Sequence, residues 1–166
     1  MPLYRRLKYN LQRLRGLRGS PHSLALGGAV GVFTGIMPIM PLRSVLILTL
    51  ATPLRANLLA AFVLGHTVGN PLAVAVWYSA ALACGNLLVE TGVTWERVTA
   101  MLDSIQGAES LSGGIAALTD VGVDTVIVLI VGGVVIALPA AVIAYVLGLR
   151  YFTRRAERLK TSDETG

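Results

Sequence analysis

Residues 122–149 read GVDTVIVLIVGGVVIALPAAVIAYVLGL. Asp124 stands at the start of this run, Arg150 follows its end, and no charged residue lies between them. Roughly 25 such residues are long enough, as an α-helix, to cross a bilayer with some tilt. Pro139 offers a site for a kink. Ala140, Ala144 and Gly148 recur every fourth residue, a small-residue stripe suited to close helix packing.

The composition agrees with that solvent. The chain has 166 residues, of which 54% are hydrophobic and 14% charged, with a mean hydropathy of +0.69. Soluble domains carry about 25% charged residues. A chain this short cannot enclose so much apolar surface by itself, so the surplus faces lipid. The net charge is +5, but the cations concentrate in the two tails, each abutting an apolar stretch. That placement fits anionic lipid headgroups rather than nucleic acid, for which no motif is present. The single cysteine, Cys84, excludes an internal disulfide and is too little for a metal site.

Working outward to the N-terminus, residues 1–19 hold Arg5, Arg6, Lys8, Arg13, Arg15 and Arg18 and no acid. Leu3, Leu7, Leu11 and Leu14 recur at helical spacing, which predicts a basic amphipathic helix in the membrane interface. Ser20 and Pro21 are a cap and first-turn pair for the next helix. No cleavage pattern follows the first apolar stretch, so it is expected to be retained. In that stretch Gly27, Gly31 and Gly35 share one helical face. Pro38 and Pro41 then break the helix. A second apolar piece, 44–54, is about half a bilayer long. Residues 56–67 and 71–89 are two more helical pieces, separated by His66-Thr67-Val68-Gly69-Asn70-Pro71. Residues 90–121 are acidic, with Arg97 the one cation. There Trp95, Val98, Met101, Leu102 and Ile105 make an amphipathic stripe expected to rest on the membrane surface.

Lys and Arg favour the cytoplasmic side of membrane ends. Both termini are therefore expected in the cytoplasm, with the 90–121 connection outside. Residues 22–89 must then cross an odd number of times. Either 22–41, 43–67 and 71–89 each cross, or 22–52 is a re-entrant hairpin and 56–89 crosses once, broken at Asn70-Pro71. The hairpin is preferred because it returns Arg55 to water, where a mid-membrane arginine would cost about 2.5–3.5 kcal/mol. The expected fold is an all-α integral membrane protein: broken or re-entrant helices in residues 22–89 plus a C-terminal transmembrane helix. It forms one membrane domain, 20–150, between the basic segment 1–19 and a basic cytoplasmic tail, 151–166.

Several segments resemble a known family. They are Arg18-Gly19-Ser20-Pro21-His22-Ser23-Leu24-Ala25-Leu26-Gly27, Gly31-Val32-Phe33-Thr34-Gly35-Ile36-Met37-Pro38, Arg55-Ala56-Asn57, Gly65, and Gly69-Asn70-Pro71. Together they resemble the bacterial DUF2062 family of membrane domains, over roughly residues 13–150. The family often has a Gly and a Gln shortly after the position of Pro38, where this chain has Pro41 and Arg43. The resemblance implies a protein of the bacterial inner membrane. Similar domains are sometimes attached to glycosyltransferases, which implies a connection with envelope or lipid-linked sugar work.

Chemistry-bearing residues are few. Arg43, just after the proline-broken turn, is a candidate for binding an anionic headgroup or phosphate if it lines a cavity, and is otherwise an ordinary loop arginine. His66 and Asn70, four apart, are either a polar pair at a helix break or, for Asn70, the satisfier of backbone groups freed by Pro71. His22 is read as interfacial. Arg43, His66 and Asn70 are thus the ligand or path candidates, and Pro38, Pro41 and Pro71 the breaks. Gly27, Gly31, Gly35, Ala140, Ala144 and Gly148 are the packing positions. No cofactor or metal is expected, and no acid–base pair points to an enzyme. The favoured function is a small homo-oligomeric transport or anionic-ligand-binding module. The alternative is an accessory protein that docks an envelope enzyme.

Overall fold

The structure is a computed structural model that describes residues 19–39, 42–106 and 123–164. The expected amphipathic segment before Gly19, Pro41 and the 107–121 end of the acidic connection lie outside the described residues. The elements are α1 (Pro21–Ile36), α2 (Arg43–Ala51), α3 (Leu58–Val68), α4 (Pro71–Val89), α5 (Trp95–Gln106) and α6 (Val123–Glu164). The described residues contain no strand.

The start of α1 follows its sequence signals. Ser20 Oγ accepts from Ser23 N–H at 3.2 Å, and Pro21 occupies the first turn, where its missing N–H costs nothing. Met37 takes the extended conformation required of a residue preceding proline, and Pro38 ends the helix. The chain then reverses through α2. A Schellman motif closes α2: Ala56 N–H bonds Ala51 O at 2.9 Å and Arg55 N–H bonds Thr52 O at 3.1 Å. Arg55, with φ of +52°, occupies the left-handed position where glycine is usual. The turn is stitched to the first turn of α1, because Ser23 Oγ donates to Arg55 O and Asn57 N–H donates to Ser23 O. Asn57 then caps α3 through Ala60 N–H, at 2.9 Å. So α1 and α2 form a hairpin that begins and ends at one level, and α3 sets out again beside α1.

The Gly27, Gly31 and Gly35 stripe explains how close α1 and α3 come. A Cβ on Gly27 would strike Asn57 O, one on Gly31 would lie 2.9 Å from Gly65 N, and one on Gly35 would lie 3.0 Å from Gly65 O. The rising pairs show that the two helices run parallel. This face is filled inside one chain, by α3.

The other side of α1 meets α6, antiparallel. Gly148 lies against Ala25, Phe152 joins Leu24 and Ala60, and Gly133 lies against Pro38. His22 Nδ1 and Tyr145 OH are 2.9 Å apart. Ala137 and Ala140 pack with Ile36 and Met37, and Ala144 is half-buried. Towards its N-terminus α6 meets α4 through a reciprocal glycine contact. A Cβ on Gly132 would overlap Ala81 O, and one on Gly85 would overlap Val128 O. α6 continues without interruption through Pro139 and past Arg150 to Glu164, so the expected tail extends the helix.

α5 is tied to the bundle at its start. Asn86 grips Val93 with two hydrogen bonds, of 2.8 and 3.0 Å, and Val98 is buried among Tyr78, Leu82, Val128 and Leu129. These contacts leave two ends of unlike charge. Arg55 and Arg150 lie at the end where α1 and α3 start. Glu90, Glu96 and Asp124 lie at the other.

α6 is the one helix among the described residues long and apolar enough to cross a membrane alone; α3 and α4 meet that test as a pair bent by 85°. Only 28% of the most apolar stretch of α6 is buried within the chain. Leu138, Val142 and Ile143 are each more than half exposed. A core helix of a soluble protein would bury that surface. Gly132→Val is expected to cost about 1–3 kcal/mol by overpacking, read as a lower unfolding midpoint in detergent. Val142→Ala, on the outward face, is expected to stay within about 0.5 kcal/mol.

Candidate functional site

The break between α3 and α4 is an accounting problem in backbone hydrogen bonds. A helix that ends leaves its last carbonyls without partners, and in apolar surroundings no water replaces them. Three side chains solve it in sequence. Asn70 Nδ2 donates to Thr67 O at 3.0 Å, Trp77 Nε1 donates to Val68 O at 3.1 Å, and Arg43 Nη1 donates to Gly69 O at 2.7 Å. The other end of the Asn70 amide serves the next helix, with Oδ1 accepting from Ala73 N–H at 3.0 Å. Pro71 opens α4, where no N–H is needed.

Arg43 reaches this break from the first turn of α2. Its guanidinium lies so close over Gly69 that a Cβ there would fall on it. Any side chain at Gly69 would have to displace the guanidinium. The Arg43 side chain is half-buried, and its Nε is buried with no hydrogen-bond partner among the described residues. Its electrostatic neighbour is Tyr78, buried on α4. No carboxylate pairs with Arg43 among the described residues.

The structure thus brings Arg43, Asn70 and Pro71 to one place. It does not bring His66 there. His66 is exposed, with Nδ1 3.0 Å from Phe62 O on its own helix and its ring stacked on Phe62. Pro38 is buried against Gly133, and its neighbours Met37 and Ile39 share a cluster with Val68 and Trp77 beside the break. Sequence reasoning missed three participants. Gly69 and Trp77 were visible only as neighbours of the break, and Tyr78 only as an aromatic within α4. The signal available was spacing: Trp77 follows Asn70 by two helical turns, within reach of the end of α3. Among the described residues no group of three His, Cys, Asp or Glu could hold a metal ion.

The family described as "Uncharacterized protein conserved in bacteria (DUF2062)" matches residues 4–160. The chain belongs to the DUF2062 family. No curated protein and no solved structure matches it. The match takes in the whole break, both of its flanking helices and the hairpin that delivers Arg43. This DUF2062 chain is membrane-associated, with at least one apolar helix turned outward for lipid.

Arg43→Met is expected to cost about 1–3 kcal/mol by leaving the Gly69 carbonyl unsatisfied. Gly69→Ala should cost a similar amount by displacing the guanidinium. The double variant should be no less stable than either single one, because both remove the same interaction. Unfolding midpoints of the four proteins in one detergent read this out; simple additivity would separate the two residues.

Proposed function

We propose that this protein is a non-enzymatic module of the bacterial inner membrane that binds an anionic group at the α3–α4 break, with Arg43 as the recognising charge. The observation that carries the reading is a half-buried arginine with no acid beside it among the described residues. Such a cation is costly unless an opposite charge reaches it. The guanidinium has donors beyond the one spent on Gly69 O, and its planar fork suits phosphate or carboxylate. Two broken helices meeting around one polar group is also a recurring plan at membrane binding sites.

The distribution of charge along the bundle supports this placement. The arginine-bearing end, with Arg55 and Arg150, would face the cytoplasm, and the acidic end would face outward. The α1–α2 hairpin then enters from the cytoplasmic side and returns. Its tip meets Gly133, about 25 Å along α6 from Arg150, against a hydrocarbon core of about 30 Å. Two crossings, one by α6 and one by the bent α3–α4 pair, complete the arrangement. Cysteines placed at Arg55 and Asn57 should then label from the cytoplasmic side only; labelling from outside would sink the hairpin.

Transport through a homo-oligomer is the fuller form of the reading, since one protomer has too few helices to enclose a path. A scaffold that docks an envelope enzyme is the second reading, favoured by the use of Arg43, Asn70 and Trp77 to satisfy backbone carbonyls. One measurement separates them. Inorganic phosphate or dihexanoyl phosphatidic acid should raise the unfolding midpoint of the detergent-purified protein by several degrees. Arg43→Gln should remove that shift. A shift of equal size in the Gln variant would exclude Arg43 as the binding group and favour the scaffold.

A further inference from the structure

α6 carries its helix beyond the apolar run, and there it lines an open cavity of about 680 Å3. The described residues lining it are Leu147, Arg150, Tyr151, Arg154, Arg155 and Arg158. Their spacing of three and four residues puts them on one helical face. No acid is among them. A cavity of this size is in the range of small-ligand pockets, roughly 300–1,000 Å3. It lies far from the α3–α4 break, so it is a separate site from the one built on Arg43.

The lining changes character along the helix. Leu147 and the ring of Tyr151 stand at the apolar end, and the guanidiniums of Arg150, Arg154 and Arg158 follow at one-turn intervals. Those three cover about 12 Å of helix axis, and all are exposed. Arg155, half-buried, adds a fourth charge from beside them. An apolar end facing the bilayer and a cationic ladder facing water match an amphiphile. Each guanidinium fork can take a phosphate through two parallel hydrogen bonds. A single phosphodiester brings one negative charge and occupies one or two rungs. A headgroup with two phosphates engages the ladder over more than one turn.

We propose that this face of α6 is a binding site for a membrane lipid whose headgroup carries two phosphates, with the acyl chains leaving past Leu147. Basic pockets at the cytoplasmic ends of membrane helices are well suited to such headgroups. The site needs neither Arg43 nor the anion proposed for it, so the two ideas fail separately.

The test uses the whole chain, purified in mild detergent and supplied with defined lipid, with bound lipid counted by native mass spectrometry. Cardiolipin, with two phosphates, should be retained at least tenfold better than phosphatidylglycerol supplied at equal total phosphate. The variant Arg150→Gln/Arg154→Gln/Arg158→Gln should lose that preference, whereas Arg97→Gln, on α5, should keep it. Arg154→Gln alone should weaken retention in the same direction, which serves if the triple variant does not insert. Equal retention of the two lipids, or an unchanged preference in a folded triple variant, overturns the proposal. Displacement of cardiolipin by an equal concentration of inorganic pyrophosphate would assign the ladder to a soluble anion and overturn it as well.

Discussion

The interaction on which the middle of this fold depends is the satisfaction of the backbone carbonyls at the end of α3. Water normally completes a helix end, and here side chains must. The α3–α4 break shows the solution in full: one amide, one indole and one guanidinium each take a successive carbonyl. Those donors come from three places in the chain, the break itself, the following helix and the preceding hairpin. The break therefore ties three segments together. An unsatisfied carbonyl in such a setting costs on the order of 1–3 kcal/mol, enough to fix where α2 lies against α3.

The second constraint is closeness. These helices hold one another by contact and by backbone approach, as glycine stripes allow. α1 is the helix around which this happens. Its glycine stripe receives the backbone of α3, and its opposite side receives α6. Gly85 and Gly132 repeat the device between α4 and α6. With these faces filled within the chain, the apolar side chains left outward lie along α6 at Leu138, Val142 and Ile143 and also on α2 at Val45, on α3 at Leu59 and on α4 at Val76, Leu87 and Leu88.

Much of this was legible in residues 20–89. Ser20-Pro21 and Asn70-Pro71 are strong local signals because a capping side chain and a first-turn proline leave few other conformations. The preference for a hairpin over 22–52 rests on the cost of burying a cation, and α2 brings Arg55 back beside Ser23. Contacts between distant segments were not legible. Nothing near Arg43 in sequence says that it will cap Gly69, 26 residues on. Gly85 and Gly132 stand in no stripe of their own, and their importance arises only when α4 and α6 cross. His66 does not join Asn70 because α3 ends between them. Arg55 in a left-handed turn, where glycine would be expected, is a case of tertiary stitching overriding local preference.

The pairing of His22 with Tyr145, 123 positions apart, has a bearing on biosynthesis. One flank of α1 is closed almost at once, by a neighbour made within the next few dozen residues. Its opposite flank stays open until the last long helix leaves the ribosome. Throughout that interval the young hairpin must be sheltered by lipid, by the insertion machinery or by a chaperone. The closing step is then a late, long-distance docking, so the final helix acts as the latch of assembly as well as the anchor of the finished molecule.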